Sequence, residues 1–168
     1  MKTVTCGFSK LVQAIDRLCQ AAVACLVGIM VVVVFVQVIF RYAVVRPIFW
    51  ADEFSRYLFV WISFVGAGVA MGSRLHYGFD YVTEKCPPPV RRAIGFLMTL
   101  LAVGFFLLCL IAGLEGVRVV SAQRTPSLQI SMGWVYAALP VGSVLMLLHL
   151  VEQALVRPEQ NVPVQGLE

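Results

Sequence analysis

The sequence predicts an all-α membrane protein with four transmembrane helices, and three observations lead to that class. Of its 168 residues, 60% are apolar and only 13% are charged, whereas a soluble domain carries about 25% charged residues. The 13 basic and 9 acidic side chains cannot cover the surface of a soluble domain of this length. Four stretches also lack any charge over lengths typical of membrane helices. These observations exclude a soluble globular protein and low-complexity disorder.

The four charge-free stretches give the helices in chain order. They hold 23, 17, 22 and 27 residues and lie between Arg17 and Arg41, Arg56 and Arg74, Arg92 and Glu115, and Arg124 and Glu152. A helix needs roughly 20 apolar residues to cross the hydrocarbon core, so the second helix must begin before Arg56. We predict one transmembrane domain over 18–156, with helices at about 18–42, 48–73, 92–117 and 133–156.

The first predicted helix has one feature of a signal peptide, the small-x-small tripeptide Ala22-Val23-Ala24. That tripeptide lies at the start of the apolar run, whereas a cleavage site follows the run. The run is also longer than the roughly 7–15 residues of a signal-peptide core. We therefore interpret residues 18–42 as an uncleaved membrane helix.

The basic residues predict the orientation, because cytoplasmic segments carry an excess of lysine and arginine. With the N-terminus inside, eight basic residues lie on the inner side: Lys2, Lys10, Arg17, Arg74, Lys85, Arg91, Arg92 and Arg157. Five lie on the outer side: Arg41, Arg46, Arg56, Arg118 and Arg124. We therefore predict that both termini are cytoplasmic, with an N-terminal segment over 1–17 and a tail over 157–168 that is expected to be disordered.

The sequence lacks the side chains that catalysis or ion transport in a membrane would need. Its two histidines are His76, in a predicted loop, and His149, near the inner end of the fourth helix beside Glu152. The five cysteines include no Cys-x-x-Cys pair and none in the outer loops, which favours reduced thiols and small apolar fillers. We predict no catalytic residue, no cofactor and no metal site. The scattered basic residues also predict no nucleic-acid partner.

Small residues at four-residue spacing recur in all four predicted helices, for example Gly68 with Gly72 and Ala138 with Gly142. Such spacing lets helix backbones approach closely in lipid. Packing within one four-helix bundle explains many of these pairs. The surplus predicts that some of them contact another membrane protein.

The second predicted helix carries the most informative pattern. Seven residues advance by three or four positions and so form one stripe: Trp50, Glu53, Tyr57, Trp61, Phe64, Gly68 and Gly72. Arg56 lies within reach of Asp52 and Glu53 at the start of the helix, where the helix dipole favours acidic residues. One interpretation is a capping cluster in an interfacial aromatic belt. The other is a docking patch for a partner protein, formed by Trp50, Asp52, Glu53, Arg56, Trp61, Gly68 and Gly72.

The segment between the second and third helices holds two further candidate groups. Arg74, His76 and Asp80 lie close together in sequence. A metal site would need more ligands, so we predict that these three residues structure a hydrogen-bonded turn. Arg91 and Arg92 begin the third helix at the cytoplasmic surface. Because lipid headgroups there are anionic, we predict that this pair contacts headgroups.

Three segments together resemble the DctQ family, the small membrane subunit of TRAP transporters. They are residues 49–56 (Phe-Trp-Ala-Asp-Glu-Phe-Ser-Arg), residues 64–70 (Phe-Val-Gly-Ala-Gly-Val-Ala) followed by Arg74, His76 and Asp80, and residues 133–142 (Gly-Trp-Val-Tyr-Ala-Ala-Leu-Pro-Val-Gly). The resemblance covers about residues 18–152. It departs from the family in its Asp-Glu pair, where Glu-Glu is commoner, and in Tyr77-Gly78-Phe79, where an aliphatic residue more often follows the histidine.

This resemblance implies a scaffolding role without catalysis in the bacterial inner membrane. TRAP systems pair the small subunit stably with a large membrane subunit. A periplasmic binding protein docks transiently to deliver an organic acid, and a sodium gradient drives uptake by symport. The residues alone leave two other classes open. These are a stand-alone small membrane transporter and a quinone- or haem-binding membrane redox subunit.

Overall fold

The computed structural model describes residues 2–46, 48–72 and 88–156, with side chains over 12–46, 48–72, 90 and 93–152. Its helices are α1 (Lys2–Tyr42), α2 (Phe49–Gly72), α3 (Pro88–Val120), α4 (Gly133–Tyr136) and α5 (Ala138–Val156). The predicted turn formed by Arg74, His76 and Asp80, the tail over 157–168, and the side chains of Arg91 and Arg92 lie outside the described residues.

Four stretches of these helices are long and apolar enough to cross a membrane: Val12–Tyr42, Phe49–Gly72, Ala93–Val120 and Gly133–Glu152. The predicted all-α class with four membrane helices is therefore confirmed. Which side of the membrane holds the termini stays a prediction.

The helix α5 lies at the centre of the packing. The helix α1 packs against α2 and α5, α2 packs against α5, and α3 packs against α4 and α5. Over the described residues, α3 makes no comparable contact with α1 or α2. The described helices therefore form an open array around α5, in which α3 lies apart from α1 and α2. Such an array is stable in a bilayer because lipid is as apolar as the helix faces, so no hydrophobic force encloses a core.

The helix α1 contacts its neighbours along one narrow seam. Its less exposed side chains recur every three or four positions: Val12, Ile15, Asp16, Cys19, Val23, Leu26, Met30, Val33 and Gln37. The rest of the helix beyond residue 20 is exposed, including Val32 and Phe35. This spacing is typical of a helix that packs through a single stripe. Most of the apolar surface of α1 is thus left for lipid or for another protein.

Glycines allow α2 and α5 to run side by side in the same direction. A Cβ atom added at Gly142 would lie 2.9 Å from both the Cβ and the carbonyl oxygen of Phe64. One added at Gly68 would lie 2.9 Å from the Cβ of Leu145. Real Cβ atoms do not approach other atoms this closely, so a side chain at either position would force its neighbours to shift. The C-terminal half of the α2 stripe therefore faces α5.

The fourth predicted helix is interrupted near its N-terminal end, between α4 and α5. Pro140 has no N–H group to donate to the carbonyl of Tyr136. The neighbouring hydrogen bonds persist, from Ala137 N to Gly133 O at 2.9 Å and from Val141 N to Ala137 O at 3.2 Å. The chain consequently keeps its helical direction across the proline.

Candidate functional site

The two acidic residues at the start of α2 lie in different environments: Asp52 is exposed and Glu53 is half-buried. Asp52 Oδ2 accepts a hydrogen bond from Arg56 Nη2 at 3.2 Å, and the two side chains are 66% and 73% exposed. An exposed pair of this kind adds little to stability. Glu53, the next residue, is half-buried and turned towards the rest of the chain.

Glu53 links α2 to the segment 121–132. Its Oε1 atom accepts a hydrogen bond from the Tyr57 hydroxyl at 2.6 Å, and its Oε2 atom accepts one from the Ser127 backbone N–H at 2.8 Å. The Tyr57 oxygen also lies 4.0 Å from Met132 Sδ. The sequence left two interpretations open, a helix cap and a docking patch. Neither included this contact between residues that are 74 positions apart.

The segment 121–132 is a compact hairpin. Thr125 N donates to Ile130 O at 2.9 Å, and an antiparallel bridge joins Arg124 to Ser131. Arg124 Nη1 donates to Gln129 O at 2.9 Å, while Gln129 has a positive φ of 53°. Thr125 is fully buried at the base of the turn. The hairpin is therefore ordered by its own hydrogen bonds and attached to α2 through Glu53.

The other members of the predicted docking patch point in different directions. Trp61 Nε1 donates to the Trp134 carbonyl at 3.2 Å, which connects α2 to α4. Gly68 faces α5. Trp50 is 49% exposed, with its ring packed edge-on against Phe54. Four members of the patch therefore contact other helices or loops of this chain: Glu53, Trp61, Gly68 and Gly72. The other three remain largely exposed: Trp50, Asp52 and Arg56.

A second polar cluster joins α1 to α5 at the other end of the array, next to Gly72 of α2. The His149 side chain is 3% exposed, with Nε2 3.5 Å from Asp16 Oδ1 and Nδ1 3.8 Å from Glu152 Oε2. A Cβ at Gly72 would lie 2.7 Å from His149 Cε1 and 3.0 Å from Asp16 Oδ2. Gly72 thus makes room for the pair. Asp16 was not among the residues singled out from the sequence. Its spacing of three residues from Cys19 and seven from Val23 places it on the same side of α1 as these two, and this spacing is the signal that could have identified it.

No set of three His, Cys, Asp or Glu side chains within the described residues is arranged to hold a metal ion. Cys19, Cys25 and Cys109 are free thiols. The chemistry that the described residues offer is therefore hydrogen bonding between helices.

Four helices long and apolar enough to span a membrane, with polar clusters at both ends of the array and exposed apolar flanks, are typical of a multi-pass membrane protein. The chain belongs to the DctQ family. The family model described as "Tripartite ATP-independent periplasmic transporters, DctQ component" matches residues 30–159. The resemblance inferred from three short segments is confirmed, and the family is a transporter component, which is not a class of enzyme.

Several curated proteins are similar to this chain. A "Putative TRAP transporter small permease protein" of Haemophilus influenzae is 30% identical over 62% of this chain and 60% of its own length. The "C4-dicarboxylate TRAP transporter small permease protein DctQ" of Rhodobacter capsulatus is 31% identical over 62% and 47%, respectively. The "Sialic acid TRAP transporter permease protein SiaT" of Haemophilus influenzae is 27% identical over 69% and 19%. The chain therefore spans between about a fifth and three-fifths of these relatives.

Replacing Glu53 by glutamine is expected to loosen the hairpin. The amide keeps the size of the carboxylate but removes its charge, so its hydrogen bonds with the Tyr57 hydroxyl and the Ser127 N–H are weaker than those of the carboxylate. Amide hydrogen exchange over residues 125–132 should become severalfold faster. Asp52→Asn is the matched control, because Asp52 is exposed and does not contact the hairpin, and it should leave the exchange unchanged. Equal protection in Glu53→Gln and the parent chain would contradict the link.

Proposed function

We propose that this chain is the small membrane subunit of a TRAP transporter, and that it scaffolds the large transport subunit during sodium-coupled uptake of an organic acid. A periplasmic binding protein would deliver the substrate. The observation that carries the proposal is the match to the DctQ component over residues 30–159.

The fold supports a scaffold rather than a carrier. The helices form an open array in which α1 and α3 expose apolar surface along most of their length. Transport sites in membrane proteins use ionisable side chains or broken helices near the midplane. The ionisable side chains of this sequence lie towards the helix ends. The described chain therefore offers surface for a partner and little chemistry for a solute.

The alignment with SiaT supports a stable interface between this chain and a larger permease subunit. The aligned part of SiaT makes up 19% of that permease protein. In that protein, a segment similar to this chain is thus continuous with a much longer chain. A separate small subunit that replaces such a segment needs a stable interface with its partner.

The names of the relatives support a carboxylate substrate. Two of them name C4-dicarboxylate and sialic acid, which are both organic acids. We propose the same chemical class here, with recognition performed by the binding protein and the large subunit.

The docking patch predicted from the sequence is proposed for its exposed members, Trp50, Asp52 and Arg56. The remaining members, Glu53, Trp61, Gly68 and Gly72, would act indirectly, since they hold the outer end of α2 and the hairpin in place. Headgroup binding by Arg91 and Arg92 stays a prediction.

Both termini are proposed to lie in the cytoplasm of a bacterium, with the chain in the inner membrane. The excess of basic residues on the N-terminal side supports this orientation. Reporter fusions at the C-terminus and within 119–132 test it. A cytoplasmic reporter should be active at the C-terminus and inactive in the hairpin, and the reverse result would overturn the orientation.

Reconstitution tests the function. The chain is co-expressed with the large membrane subunit and the periplasmic binding protein of the proposed transporter, and the purified components are placed in proteoliposomes. Uptake of labelled succinate or sialic acid should require a sodium gradient and all three proteins. Uptake by this chain alone would support a stand-alone transporter, and a haem absorption band in the purified chain would support a redox subunit.

A further inference from the structure

The helix α3 carries one carboxylate on the side that faces away from the rest of the chain. A Cβ added at Gly113 would lie 2.8 Å from Pro140 Cδ, so Gly113 marks the side that faces α5. Glu115 lies two residues further, about 200° around the helix, and is exposed. Over the described part of the chain, no hydrogen bond or ion pair involves Glu115.

Glu115 continues a row of apolar and small residues on this outward face. The row advances by three or four positions and is exposed throughout: Leu97, Leu101, Gly104, Leu108, Ile111, Glu115 and Val119. Nothing lies within 4 Å of a Cβ added at Gly104. A glycine inside a helix is less favourable than alanine, and no contact among the described residues accounts for this one. A bare backbone at that position lets a neighbouring helix approach closely.

The length of the apolar part of α3 is expected to place Glu115 within the hydrocarbon core, where a carboxylate without a partner is costly. The apolar part of α3, Ala93–Val120, has 28 residues. If it is centred in the bilayer, Glu115 lies about 13 Å from the midplane, inside the roughly 15 Å half-thickness of the hydrocarbon core. Arg118, one turn nearer the helix end, can extend its longer side chain to water. Glu115 has less reach, and no ion pair joins it to Arg118.

We propose that this outward face of α3 binds a membrane helix of the large transport subunit, and that the partner helix presents a basic or hydrogen-bond-donating side chain to Glu115. This inference rests on the proposed function. Lipid chains could cover the apolar row but offer no donor to a carboxylate. A second copy of this chain packed face to face would bring two like charges together. A partner helix with a donor satisfies both the apolar row and the carboxylate.

The test replaces Glu115 by leucine in the full chain, co-expressed with the large subunit and the binding protein. If Glu115 faced only lipid, leucine would suit its surroundings and assembly would be unchanged. If Glu115 meets a donor, leucine leaves that donor unpaired within the interface. The large subunit that co-purifies with tagged chain should then fall by roughly tenfold or more, and Glu115→Gln should reduce it less.

Two controls separate the possible causes. Thr99→Leu makes a similar polar-to-apolar change on the opposite side of α3 and should leave the yield unchanged. The Glu115→Leu chain alone, in detergent, should unfold at the same temperature as the parent chain or higher. If the parent chain retains the large subunit and Glu115→Leu retains it equally well, the α3 interface is overturned and the proposed function stands. If the parent chain itself recovers no large subunit, the proposed function fails and the interface with it.

Discussion

Replacing Gly142 by leucine is expected to separate α2 from α5 and to destabilise the chain strongly. An added Cβ would lie 2.9 Å from the Phe64 carbonyl oxygen and 3.1 Å from the Phe64 carbonyl carbon. These atoms belong to the backbone of α2, so a side-chain rotation cannot relieve the contact. Overpacking of a tight interface typically destabilises by about 1–3 kcal/mol. Because rigid backbone is involved, we expect the upper end of that range or more.

Thermal unfolding in detergent, followed by tryptophan fluorescence, measures this effect. Gly66→Leu is the matched control, because nothing lies within 4 Å of a Cβ added at Gly66. It should leave the unfolding temperature close to that of the parent chain. An equally stable Gly142→Leu chain would mean that α2 and α5 do not pack as closely as the structure shows. Assembly with the large subunit should fail in Gly142→Leu only as a consequence of lost folding.

The membrane helices were predictable because their cause is local. A charge-free run of adequate length identifies a span without knowledge of its neighbours. The helices nevertheless extend beyond those runs, since α1 begins at Lys2 and α3 at Pro88. Polar residues outside the hydrocarbon core can continue a helix, and hydropathy does not mark where it stops.

The contacts of the α2 stripe were not predictable, because small residues favour close packing but do not specify which helix packs against them. Gly68 was expected to face another protein or another helix of the same bundle, and the structure places it against Leu145 of α5. The link from Glu53 to Ser127 crosses 74 residues of sequence, and no local pattern encodes it. A single sequence indicates which helix faces are suited to close packing. Which two faces contact each other depends on the arrangement of all the helices.

The polar cluster of Asp16, His149 and Glu152 supplies the second large effect. His149→Leu should destabilise the chain by about 3 kcal/mol or more, because it leaves the Asp16 carboxylate in a helix interface without its partner. Asp16→Leu should also destabilise, since it removes the group nearest to His149 Nε2, at 3.5 Å. The double variant replaces both polar groups by apolar ones, which is often close to neutral when the volume is kept.

A double-mutant cycle therefore separates a coupled pair from two independent residues. The four chains are compared by unfolding in detergent, and the free energies of unfolding give the coupling energy. We expect the double variant to be clearly more stable than the sum of the single effects predicts, and at least as stable as His149→Leu. The reason is that each single change leaves one polar side chain of the pair without its partner. The double change removes both side chains and leaves neither unpaired. Additive losses would instead mean that each side chain acts alone, and that the close approach at Gly72 serves packing without a polar link between α1 and α5.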